Sequence, residues 1–289
     1  MNDESLLLAI KQFPTLSQRK TGNTHKGTFG TLAIIGSAES MSGAIVLAGK
    51  SALKAGCGKV FLGFAQSHLP VPFIDSAPEL MLQTASSLLN QNNLTAWAIG
   101  CGLGLSANSE KILLSLLAKI DSNTPYVFDA DALVLIAKNK VKLQKNCVLT
   151  PHPKEASILL NCSVSQIQNN REQSALKIAQ QYQCWTIIKG QHTIIASPMG
   201  DISINKTGNS GLSTAGSGDV LTGVMASFLA QGIPMSESVK SAVWIHGMAA
   251  DILLEKGIGP IGLTASELID VIRAIRNRIN KIKQTHGID

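Results

Sequence analysis

The chain has 289 residues, of which 45% are hydrophobic, and it carries 25 Lys+Arg against 19 Asp+Glu. This composition is typical of a folded globular protein and excludes a disordered chain. The length is sufficient to bury a substantial core without disulfides or a structural metal. The five cysteines are scattered singly, without a CxxC pair or a Cys/His cluster at zinc spacing, so structural zinc is not expected.

The first residues lack the basic and apolar segments of a secretory signal, and no uncharged apolar run reaches the ~18 residues of a membrane span. We therefore expect a protein of the reducing cytoplasm that does not act at a membrane. Nucleic acid is not an expected partner either, because only 4% of the residues are aromatic and the net charge of +6 is concentrated in one C-terminal segment. That segment contains Arg273, Arg276, Arg278, Lys281 and Lys283.

Short β-branched or apolar runs alternate with longer helical patterns, which predicts βα units and a mainly parallel sheet. The last two runs are separated by Ser197-Pro198-Met199-Gly200, a turn sequence that predicts a hairpin and therefore an antiparallel edge. The predicted strands are Thr31–Gly36, Lys59–Phe64, Ala96–Gly100, Tyr126–Asp129, Cys147–Thr150, Trp185–Lys189, His192–Ala196 and Asp201–Asn205.

Eight segments with apolar residues at helical spacing are predicted helices. In the last of them, apolar residues recur every three or four positions from Leu268 to Ile282, so one face should pack and the arginines should face elsewhere. No linker, repeat or composition shift divides the chain, and we expect one α/β domain over residues 1–289. The predicted helices are Gly43–Ala55, Ala107–Lys119, Ala130–Ala137, Lys154–Leu160, Ser165–Tyr182, Ser217–Ala230, Met235–Glu255 and Thr264–Lys283.

The most informative stretch is Asn205–Gly223, which follows a predicted strand, contains five glycines and leads into a predicted helix. Glycines allow backbone N–H groups to approach a ligand closely, and the helix directs its positive end to the same place. We expect Gly216, Ser217 and Gly218 to form an anion hole. Asp219, in the first turn, is placed to accept a proton from a hydroxyl that meets a phosphoryl group, although it could instead only cap the helix.

Two further glycine loops, Gly36–Ala44 and Gly100–Gly104, also follow predicted strands. The second lies at the carboxyl end of its strand, the edge where ligands bind in open α/β sheets. Neither loop fits the dinucleotide-binding or P-loop pattern, and each alone could be a turn. Three such loops after three strands predict a shared nucleotide or phosphate cleft.

Other candidate residues follow the neighbouring predicted strands. Asp129 and Asp131 could orient a Mg²⁺–phosphate group or ribose hydroxyls, or could cap the next helix. His152 lies between two prolines that fix the backbone, which suits contact with a polar ligand. The segment Lys189–Thr193 could hold nucleotide phosphates or ribose, or could be a solvated connection.

Two further pairs of residues are weaker functional candidates. His25 and Lys26, in the segment His25–Gly30 before the first predicted strand, face either an anionic ligand or water. Trp244 and His246 lie among apolar residues of one predicted helix, and we interpret both as core packing.

Taken together, these residues resemble the ADP- or ATP-dependent NAD(P)H-hydrate dehydratase family of the ribokinase-like superfamily. The resemblance extends from about Arg19 to Asp251, and the order and spacing of the motifs agree. This chain has Cys101 where the family commonly has proline, and Ala215 where it commonly has glycine. The motifs that carry the resemblance are His25–Gly30, Gly43-Ala44, Phe128–Leu133, Thr150–Glu155, Thr207–Asn209 and Gly216–Gly223.

The resemblance implies a ribokinase-like fold and the dehydration of the S forms of hydrated NADH and NADPH, with ADP or ATP as co-substrate and Mg²⁺ on its phosphates. It implies that Asp219 contacts the reacting ring hydroxyl. Some relatives carry an epimerase domain fused at the N-terminus, but the ~20 residues before Lys20 are too few to form a domain, so we expect none here. The apolar stripe of the last predicted helix and the habits of the family predict a homo-oligomer, with a tetramer as the expected form. The implied substrate contacts are Ala44, Gly102, His152 and Asp219, and the implied nucleotide contacts are Lys189, Gly190, Gln191, His192, Thr193 and Gly218.

Two rival functions stay open at this point. A ribokinase-like kinase for a vitamin precursor or a sugar would use Gly218 and Asp219 in the same way. A nucleotide-binding sensor without activity would keep the glycine loops but would tolerate the loss of Asp219.

Overall fold

A single nine-stranded sheet organises the computed structural model, which describes residues 3–18, 24–119, 123–143 and 145–286. The strand order is β3-β2-β1-β4-β5-β6-β7-β8-β9; the pairs from β3 to β7 are parallel, and β8 and β9 are antiparallel. The strands are β1 (Thr31–Gly36), β2 (Lys59–Phe64), β3 (Met81–Thr84), β4 (Ala96–Ile99), β5 (Tyr126–Phe128), β6 (Cys147–Leu149), β7 (Trp185–Ile188), β8 (Thr193–Ala196) and β9 (Ile202–Asn205).

Helices cover both faces of this sheet. Short 3₁₀ helices lie at Lys26–Phe29 and Ser210–Leu212. The α-helices are α1 (Asp3–Gln12), α2 (Ser42–Lys54), α3 (Ala85–Leu88), α4 (Ala107–Leu117), α5 (Asp131–Lys138), α6 (Pro153–Leu160), α7 (Val164–Asn169), α8 (Arg171–Tyr182), α9 (Ser217–Ala230), α10 (Met235–Glu255) and α11 (Ala265–His286).

The predicted elements are present, but three elements are added and one predicted helix is divided in two. All eight predicted strands form, and the antiparallel hairpin is confirmed. The structure adds β3, α1 and α3, which the sequence analysis did not predict. The helix predicted over Ser165–Tyr182 is two helices, because Asn170 leaves the helical conformation with φ −141° and ψ 51°.

Two apolar layers enclose the sheet. One layer packs α1, α2, α9, α10 and α11 on one face, and the other packs α3 to α8 on the opposite face. This is the mostly parallel sheet between helices, with an antiparallel edge, that the sequence predicted. No helix within the described ranges is long and apolar enough to cross a membrane.

Helix α9 is the most enclosed helix near the sheet. Of its fourteen residues, only Gly218 and Asp219 are not buried. Gly223 allows α9 to approach α2 closely, because a Cβ atom there would lie 2.0 Å from the carbonyl oxygen of Ala48. The apolar core therefore fixes α9 along its length and leaves its N-terminal turn facing the edge of the sheet.

The apolar stripe of α11 packs within this chain. Its residues from Leu268 to Ile282 are buried and belong to the same layer as α1. Arg276 does not face water as expected: its guanidinium lies 4.9 Å from the Phe228 ring centroid and donates to the Leu16 carbonyl over 2.7 Å. Because the stripe is already covered, it no longer supports the expected homo-oligomer, which stays a prediction.

Candidate active site

The glycine loops predicted to form a cleft meet at the carboxyl edge of the sheet. Two backbone bonds join the loops after β1 and β4: the N–H of Ser37 donates to Cys101 over 2.9 Å, and that of Ala38 to Gly102 over 2.7 Å. The N–H of Lys189 donates to the Pro151 carbonyl over 2.9 Å, which joins the loops after β6 and β7. Carboxyl ends of parallel strands meet at one edge, so these bonds hold the loops around a common opening.

Helix α9 begins at this opening without a side-chain cap. Its N-cap is Gly216, with φ 86°, and no side chain accepts hydrogen bonds from the first turn at that position. Backbone N–H groups of a first helical turn have no partner within the helix, and they carry the positive end of the helix dipole. Ala215 is not among the described residues with positive φ, so this departure from the family pattern fits the local backbone.

Asp219 lies in the first turn, whereas the N-cap is Gly216 and makes no side-chain cap hydrogen bond, so Asp219 is not the N-cap residue of α9. Burial raises the pKa of its carboxyl group to about 6, and a hydrogen bond with the Cys101 thiol acts in the opposite direction. The Cys101 thiol is itself fully buried; its pKa is raised by burial and then by the charge of Asp219. A carboxylate with a pKa near neutrality is suited to accept a proton during a reaction.

A buried ion pair lies beneath the first turn of α9. Lys189 Nζ is 2.6 Å from Asp129 Oδ1, and the Thr222 hydroxyl donates to Asp129 Oδ2 over 2.7 Å. Burial alone would raise the pKa of Asp129, but the charge of Lys189 and the hydrogen bonds from Lys189 and Thr222 lower it overall. A Cβ atom on Gly218 would lie 3.4 Å from Lys189 Nζ, so this ammonium group is directly below the predicted anion hole.

The contacts of Asp129 and Asp131 change the interpretation of both aspartates. Both carboxylate oxygens of Asp129 already accept hydrogen bonds, so Asp129 serves the ion pair rather than presenting a free carboxylate to a metal ion or to ribose. Asp131 accepts a hydrogen bond from the Gly104 N–H over 2.7 Å and so holds the loop after β4. The described residues contain no group of three or more His, Cys, Asp or Glu side chains that could hold a metal ion.

His152 is at the N-terminus of α6, and its ring is used in the helix cap. Its Nδ1 accepts from the N–H groups of Lys154 and Glu155, so the neutral ring carries its hydrogen on Nε2. Glu155 completes the capping box by accepting from the His152 N–H over 2.7 Å. Burial, followed by the charge of Lys189, lowers the pKa of His152, and burial raises the pKa of Glu155 to about 7.

The remaining predicted contact residues surround this opening. A Cβ atom on Gly102 would lie 3.2 Å from Ala44 Cβ, so these two residues are neighbours across the loops after β1 and β4. The loop from Lys189 to Thr193 is held by Arg171, which donates to the carbonyl oxygens of Ile188 and Gln191. Arg171 had no role in the sequence analysis because it lies on α8, far from any motif.

The segment His25–Gly30 is not at this opening. It precedes β1 and therefore lies at the amino edge of the sheet, where Gly30 contacts the C-terminal end of α9. Together with residues 229–233 it lines a cavity of about 420 Å³. Its side chains do not join the cleft of this chain.

His246 is the second functional candidate that the sequence analysis did not recognise. Trp244 packs on the core as predicted, with its ring 5.9 Å from that of Phe13. His246 is buried as predicted, but its Nε2 lies 3.2 Å from the Ser217 hydroxyl, at the start of α9. No local motif signals this contact, because α10 approaches the start of α9 only in the folded chain.

The family model for NAD(P)H-hydrate dehydratases matches residues 32–274. The chain belongs to the NAD(P)H-hydrate dehydratase family. An "ADP-dependent (S)-NAD(P)H-hydrate dehydratase" of Neisseria meningitidis is 42% identical over 281 residues, which are 96% of this chain and 95% of that protein. A "bifunctional NAD(P)H-hydrate repair enzyme" of Escherichia coli is 36% identical over 88% of this chain, which matches 49% of that protein.

The fold of this dehydratase family member also matches solved structures. The Bacillus subtilis ADP/ATP-dependent NAD(P)H-hydrate dehydratase, co-crystallised with ATP/Mg²⁺, superposes with a TM-score of 0.81 at 29% identity. The superposition covers 90% of this chain and 94% of the B. subtilis chain. The expected ribokinase-like fold is therefore confirmed.

Proposed function

We propose that this protein dehydrates the S forms of hydrated NADH and NADPH with ADP as co-substrate and thereby restores the reduced cofactors. The observation that carries the proposal is the position of Asp219, half-buried and with a pKa of about 6, on the uncapped first turn of an otherwise buried helix. The N. meningitidis relative, at 42% identity over nearly the whole of both chains, supports the same reaction.

Asp219 begins the reaction by accepting the proton of the ring hydroxyl as the hydroxyl oxygen attacks the terminal phosphoryl group of the nucleotide. The new bond joins that oxygen to phosphorus, and the bond to the next phosphate breaks, which leaves AMP when ADP is used. The backbone N–H groups of Ser217 and Gly218 stabilise the charge on the transferred group, and the ammonium group of Lys189 beneath them adds to this stabilisation.

Elimination then completes the reaction. Phosphate is a better leaving group than hydroxide, so the C6–O bond breaks with assistance from the lone pair of the ring nitrogen. The departing phosphate accepts a proton from C5, which forms the 5,6 double bond and restores the dihydronicotinamide. The oxygen atom of the hydrated ring leaves in inorganic phosphate.

The substrate and the nucleotide approach Asp219 from two sides of the opening. Ala44, Gly102 and His152 contact the hydrated cofactor. The His152 ring is held for this contact by the cap of α6 at Nδ1 and by Glu155 Oε1, which lies 3.2 Å from Nε2. The loop Lys189–Thr193 and Gly218 contact the nucleotide. Gly190, Gln191 and His192 lie in this loop, whose Gln191 carbonyl accepts a hydrogen bond from Arg171.

Mg²⁺ accompanies the nucleotide in this proposal, with support from the B. subtilis enzyme that was co-crystallised with ATP/Mg²⁺. The described residues do not fit a metal ion held by the protein alone, because they lack a group of three or more suitable side chains and Asp129 is engaged by Lys189. We therefore assign these residues no step that depends on a metal ion.

The decisive experiment compares the wild-type protein with Asp219→Asn. Hydrated NADH is incubated with ADP or ATP and Mg²⁺, and the return of dihydronicotinamide absorbance is followed. We expect nucleotide-dependent recovery for the wild type and a loss of ~10²-fold or more in Asp219→Asn, the usual scale for a positioned base. Asp270→Asn, an exposed carboxylate on α11, is the matched control and should retain full turnover.

Two outcomes would reject the proposal. Stable phosphorylation of a hydroxymethyl substrate, without recovery of NADH with either nucleotide, would assign the protein as a small-molecule kinase. Nucleotide binding with no turnover in the wild type, unaffected by Asp219→Asn, would assign a sensor.

Three expectations about the whole protein accompany the proposal: residues 1–289 act as one domain, in the cytoplasm, as a homo-oligomer. Since the α11 stripe is buried within the chain, an oligomer must use another surface. Light scattering coupled to size-exclusion chromatography measures the mass directly, and a tetramer of a 30.5 kDa chain is the expected form.

A further inference from the structure

The contact between α10 and the start of α9 involves a polar pair that the proposed reaction does not use. Ser217 is 6% exposed and His246 is 7% exposed, and their side chains approach to 3.2 Å at Nε2 and Oγ. A buried imidazole and a buried hydroxyl each lose their hydration, so a hydrogen bond between them is needed to offset that loss.

The His246 ring is neutral at physiological pH. Burial lowers its pKa to about 4, and a backbone hydrogen bond with Ser217 acts in the opposite direction. The ring therefore adds no charge to the cleft. Its contribution is structural, through its contacts with Ser217.

Ser217 is the first residue of α9, and the backbone before it is weakly held. Gly216 has no side chain to cap the helix, and the Ser217 N–H reaches the Thr214 carbonyl only over 3.4 Å. Since Gly218 and Asp219 follow directly, the orientation of Ser217 determines where the next N–H groups and the carboxylate point. His246 is the side chain that fixes Ser217 from the core side.

We propose that His246 is a positioning residue for the nucleotide: by holding Ser217 from α10, it fixes the first turn of α9, whose N–H groups receive the transferred phosphoryl group. This inference rests on the proposed function and adds a residue to it. His246 is buried and acts on the reacting atoms only through its contact with Ser217.

The test uses His246→Phe, which removes the hydrogen bond but keeps a ring, and His246→Gln, which keeps an amide donor and acceptor. ADP affinity is measured by calorimetry, and KM for ADP, KM for the hydrated cofactor and kcat are measured separately. We expect His246→Phe to weaken ADP binding roughly tenfold, which is the scale of one lost hydrogen bond. His246→Gln should recover most of this loss, and KM for the hydrated cofactor should not change.

A double-mutant cycle with Ser217→Ala separates this role from a general loss of packing. If the two side chains act together, the double variant should bind ADP no more weakly than either single variant. Ser238→Ala is the matched control, since this buried hydroxyl of α10 bonds to Ile233 away from the cleft.

Wild-type ADP affinity in folded His246→Phe, or fully additive losses in the cycle, would overturn the inference. Failure of the proposed function is recognised separately, because the wild-type protein would then not restore NADH with either nucleotide, whatever the ADP affinity of the His246 variants. If His246→Phe does not fold, the ADP affinities of His246→Gln and Ser217→Ala still decide the question. The inference expects nearly wild-type affinity in His246→Gln and weaker binding in Ser217→Ala.

Discussion

Lys189→Met should destabilise this protein far more than an ordinary loss of a surface charge. The substitution keeps much of the aliphatic side chain but leaves the Asp129 carboxylate, 2% exposed, without the ammonium group that lies 2.6 Å away. Removing one partner of a buried pair costs about 3–5 kcal/mol, because the remaining charge stays buried and uncompensated. The Thr222 hydrogen bond remains and does not replace the lost charge.

The free energy of unfolding, measured by urea denaturation at pH 7, provides the assay. Lys54→Met is the matched control: its ion pair with Asp270 spans 3.2 Å but is exposed, so the loss should stay below about 1 kcal/mol. The double variant Lys189→Met, Asp129→Asn should recover much of the stability, since an amide needs no counter-charge. A loss below about 1 kcal/mol in Lys189→Met would refute the reasoning.

The pH dependence supplies a second check. The folded-state pKa of Asp129 is lowered from 3.8, so the pair contributes its stability above that value and loses it as the pH falls through the folded-state pKa. The difference in unfolding free energy between wild type and Lys189→Met should therefore be largest near neutral pH. It should decrease as the pH falls, first because Asp129 in the variant protonates at the raised pKa that burial gives it, and then below about pH 4 because the wild type loses the ion pair.

Other predictions concern the groups around the cleft. The acid limb of the kcat/KM profile should lie near pH 6, because Asp219 must be ionised to accept a proton. Cys101→Ala should move this limb to higher pH, because the hydrogen bond from the Cys101 thiol lowers the pKa of Asp219. In steady-state kinetics, Arg171→Met should raise KM for ADP roughly tenfold, since two charge-assisted bonds to the nucleotide loop are lost. In urea titrations, wild-type stability should fall by up to about 3 kcal/mol between pH 4.5 and 7, because folding raises the pKa of Glu155, and Glu155→Gln should lack this decrease.

Each of these predictions has a matched control and a contradicting result. Cys162→Ala, Lys177→Met and Glu172→Gln change a cysteine, a basic residue of α8 and a glutamate away from the cleft, and they should behave as wild type. An acid limb unmoved by Cys101→Ala would separate that thiol from the base. An unchanged KM for ADP in Arg171→Met, or an unchanged pH slope in Glu155→Gln, would remove those residues from the roles assigned to them.

Local patterns were sufficient for most of the fold but not for short or isolated elements. β3 was missed because its four residues are all half-buried and lack β-branched alternation, so only pairing with β2 defines it. In α1, Leu6 and Ile10 are buried at helical spacing, but the segment precedes every motif and is stabilised by α11. The break at Asn170 depends on a local backbone choice that apolar periodicity does not reveal.

In the candidate site, too, residues with a local sequence signal were predictable and contacts between distant segments were not. Asp219 and the glycines around it were predictable, because helix starts and glycine loops have local signatures. The pairing of Asp129 with Lys189 was not, because 60 residues separate them and only the sheet brings the ends of β5 and β7 together. His246 and Arg171 were missed for the same reason, since each acts on a loop or a helix start from a distant helix.

The enclosure of α9 has a consequence for how such a protein can change over time. The core leaves only Gly218 and Asp219 of this helix uncovered, and Asp219 is the reacting group. Close contacts, such as that between Gly223 and Ala48, allow little adjustment along the rest of the helix. New substrate preferences are therefore expected to arise in the rim of loops that follow β1, β4 and β6, while the catalytic chemistry is inherited with the interior.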